Sequence, residues 1–178
     1  MHKIITLIII ILMLTGCAGL EKKTNSKISV MGISADDFRG RNWLEVTIGI
    51  GVSFLVHETG HILYAEMNGG GHFDSSECVV IMEDYHNQSH NTQQMFHRAG
   101  FLSQLFVGGI LTAIPATRHA DFTLGFNAST MINTGLYVLI NDDGEYSDIR
   151  QLDNGKTEGN IYTLGAGVLT YINLDKKE

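Results

Sequence analysis

The sequence predicts a mainly α fold: a small helical bundle embedded in a membrane, with a short β-like insertion. Three observations predict it. A long, largely apolar segment runs from residue 43 to a glycine-rich stop at 69–71, three further apolar segments of 16 to 19 residues follow, and one short strand-like run lies between. The same elements could instead form a soluble α-rich domain with the apolar segments as core helices, and this is the alternative architecture. The mean hydropathy of +0.06 is an average over sharply partitioned regions.

In chain order, Met1-His2-Lys3 is followed by an apolar run over 4–14 and then by Leu14-Thr15-Gly16-Cys17. A basic start, a short apolar core and small residues before a cysteine read as an export signal. The run is shorter than the roughly 20 residues a spanning helix needs. Leu14-Thr15-Gly16-Cys17 resembles the bacterial lipobox, which implies a signal peptide over 1–16 and lipidation of Cys17. A bacterial membrane location and a lipid partner follow. With Cys17 modified, Cys78 is the one remaining cysteine, so no disulfide within the chain is expected. Cys78 sits in a strand-like run and reads as a buried structural residue.

Residues 17–42 are polar, mixed in charge and without periodicity. They read as a tether, with a short ordered piece at 28–33. A helix is expected over 43–67, because an apolar stretch at 46–56 leads to Asn68-Gly69-Gly70-Gly71. Residues 72–98 are polar and rich in histidine, with a β-like run at 78–82; His86, His90 and His97 read as parts of a solvated loop. Apolar segments at 99–116, 122–140 and 159–174 are the remaining helices, and 141–158 is an acidic connection. Arg118, His119 and Asp121 read as an interhelical turn. Asn133 suits either helix packing or a site contact. Gly51, Gly60, Gly108, Gly109, Gly125, Gly135, Gly165 and Gly167 are expected to permit close helix contacts.

Charge excludes some functions. The net charge is −7, from 12 Lys+Arg against 19 Asp+Glu, which leaves no basic surface for nucleic acid. With 44% apolar and 17% charged residues, disorder is also excluded.

The chemistry lies in His57-Glu58-Thr59-Gly60-His61, an HExxH pattern on the first long helix. Residues i and i+4 share a helical face, so both imidazoles can bind one Zn2+ ion. Glu58, beside the first ligand, is placed to take a proton from a water that the metal activates. Three ionisable groups directly after an apolar run would be costly to bury without a metal. A catalytic zinc needs a third protein ligand and one open position. His61 is followed by Ile62-Leu63-Tyr64-Ala65-Glu66, so no third histidine stands at a fixed short spacing. His72, Glu77, Glu83 and the acidic cluster that includes Asp142, Asp143, Glu145 and Asp148 remain as candidates.

The stretch from Phe54-Leu55-Val56-His57-Glu58 through Ala65 to Gly69-Gly70 resembles the membrane-embedded metallopeptidases of the site-2 protease class, especially their small bacterial members. Ala99-Gly100-Phe101-Leu102 through Gly108-Gly109-Ile110-Leu111 resembles the helix that follows in those proteins. Ser147-Asp148-Ile149 stands where they supply an aspartate. The resemblance covers about residues 43–155, and HExxH is its one sharply specific motif. It implies a metallopeptidase-like helical domain over 43–174, with His57, His61 and Asp148 on zinc, Glu58 as general base, and a protein or peptide substrate in or near the membrane. The family's Asn-Pro-Asp-Gly or Leu-Asp-Gly-Gly element is absent. Leu152-Asp153-Asn154-Gly155 echoes it loosely, so Asp153 remains a rival third ligand.

Loop charge cuts across the membrane reading. An exported Cys17 puts Lys22, Lys23, Lys27, Arg39 and Arg41 outside, and four further spans put Lys176 and Lys177 there too, against the usual cytoplasmic bias of Lys and Arg. Asn127, Ser129, Thr130, Asn133 and Thr134 also make 122–140 a polar span. A soluble zincin on the periplasmic or outer surface is therefore the alternative. A non-catalytic metal-binding lipoprotein and an inactive membrane scaffold are the competing functions.

Overall fold

The structure is a computed structural model that describes residues 29–30, 33–34, 40–75, 79–140, 148–149 and 151–175. The signal segment, Cys17, most of the tether, Cys78, Glu77 and Glu145 lie outside the described residues. Among the described residues the chain is mainly helical, with two small two-stranded antiparallel sheets. Strands β1 (Ser29–Val30) and β2 (Ile33–Ser34) pair within the tether region.

Helix α1 (Trp43–Met67) starts where the Asn42 side chain accepts from the Leu44 backbone N–H, at 3.2 Å, while its amide donates to Glu45 at 2.9 Å. It stops at Asn68, where the N–H groups of Asn68 and Gly70 both turn back to the Ala65 carbonyl. Gly69 and Gly70 have φ of 126° and 117°, a region open to glycine and strained for other residues. The reversal launches β3 (Gly71–Asp74), which pairs with β4 (Val79–Met82). The sequence suggests only the second of these strands; Gly-His-Phe-Asp is extended because β4 pairs with it.

After a 3-10 turn at Tyr85–Asn87, α2 (His90–Ala113) begins under a Ser89 cap. This start is the main departure from the sequence reading, since His90 and His97 are helical, not parts of a loop. Pro115 then ends α2 and opens the one-turn helix α3 (Pro115–Arg118). Helices α4 (Asp121–Ile140) and α5 (Gly155–Leu174) complete the bundle.

Contacts fix the directions of the four long helices. Ser53 meets Gln104 while His61 meets Phe96, so α2 runs antiparallel to α1. Asp121 meets Arg41, and Thr130 meets Ser53, so α4 runs parallel to α1. Glu158 meets Arg98, and Asn173 meets Thr112, so α5 runs parallel to α2. The topology is up-down-up-down.

Small residues set the closeness of these crossings, though not always the expected ones. A Cβ on Gly49 or Gly125 would lie 2.1 Å from a backbone oxygen across the α1–α4 contact. Gly51 and Gly109, expected at contacts, have nothing within 4 Å of that position.

The interior mixes buried apolar side chains, among them Phe101, Leu124 and Phe126, with many polar ones. Ser53, Gln104, Thr112, Asn127, Thr130, Thr134, Thr170 and Asn173 are buried. Large apolar side chains point outward on the long helices, among them Leu44 and Phe106 at 70% exposure and Leu139 at 81%. By length and composition, α1 alone among the described residues passes as a membrane-crossing helix. Mean hydropathy counts residues regardless of the side they face, so the interior Asn and Thr of α4 lower its average.

Candidate metal centre

The site lies where α1, α2 and the α4–α5 connection meet. His57 and His61 stand one turn apart on the buried face of α1. Gly100 of α2 packs against both rings: a Cβ there would stand 2.5 Å from His61 Nε2 and 2.6 Å from His57 Cε1. The third group, Asp148, is held from the connection, where its neighbour Ile149 is buried in a cluster with Phe101, Leu152 and Tyr162.

Hydrogen bonds decide the tautomers. His61 Nδ1 lies 2.8 Å from the Phe96 carbonyl oxygen, which only accepts, so this nitrogen carries the proton. Gln104 donates through Nε2 to the Ser53 carbonyl at 3.0 Å, which turns its own oxygen toward His57 Nδ1 at 3.2 Å. His57 therefore donates through Nδ1 as well. In its neutral form each imidazole keeps its Nε2 lone pair free, the arrangement that outer hydrogen bonds commonly impose on metal-binding histidines.

Those two lone pairs and one carboxylate oxygen point at one another. His57 Nε2 and His61 Nε2 are 3.1 Å apart, and Asp148 Oδ2 lies 3.1 Å from the first and 3.2 Å from the second. Three acceptors this close repel unless a proton or cation joins them. Around a tetrahedral zinc with bonds of about 2.0–2.1 Å, ligand atoms would be roughly 3.3 Å apart, so the donor set fits. His57, His61 and Asp148 form the one group among the described residues whose three ligand atoms lie within 4.8 Å of one another.

Burial by itself would raise the Asp148 carboxyl, but the charge that His61 can carry, with the contacts from His57, His61 and His97, holds it well below the usual carboxylate range. Burial, reinforced by the Asp148 charge, raises the Tyr85 phenol and keeps it protonated.

The group opens into a pocket of about 600 Å³. Glu58, half-buried, lines it together with β4, Phe54, Tyr85, Asn133 and Tyr137. The rival ligands among the described residues lie elsewhere. Asp153 is exposed and paired with His90 at 2.7 Å, His72 is exposed on β3, and Glu83 faces Gly70.

His97 is the residue that sequence reasoning misplaced. It is buried, and its Nδ1 lies 3.0 Å from Asp148 Oδ1 while its Nε2 lies 2.7 Å from the Tyr85 hydroxyl. The available signal is periodic: Gln94, His97, Phe101, Gln104 and Gly108 are spaced three or four apart and all face inward. Gln104 was missed for a different reason, being a polar residue within an apolar segment. Compared with protein families, curated proteins and solved structures, the chain matches none.

Proposed function

We propose that this chain is a zinc-dependent metallopeptidase, similar to the site-2 protease class, that hydrolyses a peptide bond in or near a membrane. The observation that carries the reading is the convergence of His57 Nε2, His61 Nε2 and Asp148 Oδ2 beside Glu58 in a single pocket. A zinc ion held by these three groups would supply a Lewis acid that brings the pKa of water toward about 7.

The chain's own residues do the rest. Glu58 takes the proton from the attacking water and passes it to the leaving amine. Gln104 and the Phe96 carbonyl hold the two imidazoles in the ligating tautomer. The apolar wall of Phe54, Val79 and Ile81 accommodates substrate and limits water around the reacting bond. A purely structural metal site has no need of a carboxylate beside its first ligand, which favours catalysis over metal storage.

Membrane embedding is supported by the placement of charge. Residues 99–117, 122–140 and 159–174 carry no Asp, Glu, Lys or Arg. At about 1.5 Å per residue, the helical parts of these stretches, 99–113, 122–140 and 159–174, give roughly 22–29 Å of helix, against about 30 Å of bilayer hydrocarbon. Charges gather beyond the two ends: Arg41, Glu45, Arg118, Asp121 and Asp175 at one, and Glu66, Arg98, Lys156 and Glu158 at the other. Buried polar side chains inside an apolar exterior suit a lipid surround better than water.

The test is metal analysis of the purified protein, then proteolysis of a casein-like and a transmembrane substrate. Wild type should carry stoichiometric zinc and cleave; Glu58→Gln should keep zinc and lose about 10²–10⁴-fold in rate. A wild type without metal sinks the reading. Resistance of the protein to carbonate extraction, with release by detergent, tests embedding.

A further inference from the structure

We propose that His97 is a positioning residue that makes Asp148 a one-oxygen metal ligand, and that Tyr85 locks His97 in place to do so. The inference rests on the metal reading above.

A carboxylate can bind a metal through one oxygen or two, and two would occupy the position that water and the scissile carbonyl need. In this site the two oxygens of Asp148 are already divided. Oδ2 faces the two Nε2 atoms at 3.1 and 3.2 Å, and Oδ1 faces His97 Nδ1 at 3.0 Å. The carboxylate only accepts, so His97 donates through Nδ1. Its Nε2 is then an acceptor, matched by the Tyr85 hydroxyl, which donates at 2.7 Å.

The His97 ring has little freedom to leave. Tyr85 and Phe96 meet it edge-on, at centroid distances of 5.6 and 5.3 Å and interplanar angles of 75° and 73°. A charge-assisted hydrogen bond from a fixed ring therefore holds Oδ1 away from the metal position. Tyr85 comes from the connection after β4 and lines the pocket, so the same residue that borders substrate also steadies the ligand set.

The experiment uses the full-length protein in detergent, loaded with Co2+ in place of zinc, with folding checked by circular dichroism. Wild type should show the intense visible absorption of four-coordinate cobalt. His97→Leu should show the weaker absorption of five-coordination as Asp148 turns in its second oxygen, and should bind zinc with an affinity altered about 10- to 100-fold. His97→Asn, whose side-chain N–H can stand where Nδ1–H stood, should restore the wild-type spectrum. Tyr85→Phe removes one hydroxyl while keeping the ring, and should shift the spectrum in the direction of His97→Leu by a smaller amount. It carries the test if His97→Leu does not fold. An unchanged spectrum in a folded His97→Leu or in Tyr85→Phe overturns the proposal, as does failure of His97→Asn to restore it. Wild type that binds neither zinc nor cobalt overturns the metal reading itself, and this proposal with it.

Discussion

The two ends of the bundle bury polar groups in opposite ways. At the end away from the pocket, Asn127 donates to Asn173 at 2.7 Å and to Thr112 at 3.1 Å, while Asn173 donates to Thr112 at 3.2 Å and to the Arg118 carbonyl at 2.6 Å. All four amide donors find an acceptor. At the pocket end, His57, His61 and Asp148 direct acceptors at one another. The residue types are similarly polar and similarly buried, so burial does not separate structure from chemistry here. The direction of the lone pairs does. A network that closes on itself holds helices together, whereas His57, His61 and Asp148 bring three ligand atoms close enough to hold a cation between them.

That contrast can be broken by mutation. The largest effect is expected for His61→Ala, which removes one of three ligands: stoichiometric zinc and peptidase activity should both disappear, read by metal analysis and proteolysis. Retained zinc at full occupancy would dissolve the distinction. Next comes Gly100→Ala, whose methyl would press on both imidazoles, against His61 Nε2 and His57 Cε1, while leaving all three ligand groups in the chain. Zinc affinity should fall about 10- to 100-fold in a chelator competition. The smallest change at the metal is expected from Asn173→Ala at the far end. It should lower stability by about 1–3 kcal/mol in denaturant titration and leave zinc stoichiometry unaltered. Lost zinc in that variant would mean the two ends are not separable.

How much of this was legible beforehand depended on the range of the signal. HExxH is local, so its two histidines and glutamate could be placed on one helix from spacing alone, and the glycines after Asn68 marked where that helix ends. Asp148 had no such signature. Composition does not separate it from Asp142, Asp143, Glu145 or Asp153, and its nomination rested on the resemblance. The structure sets it apart from Asp153 because Ile149 anchors the turn in the core while Asp153 faces outward. His97 was hidden by its surroundings: in a run of His, Asn and Gln, hydropathy suggests a solvated loop, whereas the inward face of α2 carries Gln94, His97 and Gln104 beside Phe96 and Phe101. Three of the five polar residues noted in α4 also face inward. Its Asn127, Thr130 and Thr134 are buried against neighbouring helices.

The alternating directions of the four long helices have a practical consequence. α1 begins, and α5 ends, at the end of the bundle opposite the pocket. Among the described residues, the pocket end carries returns of the chain: the hairpin between α1 and α2, and residues 148–149 and 151–154 ahead of α5. Attaching the protein to a solid support behind α5 would therefore leave the pocket facing away from the surface, and redesigning the return between α1 and α2, whose β4 and Tyr85 line the pocket, would refit its wall without rethreading a single helix.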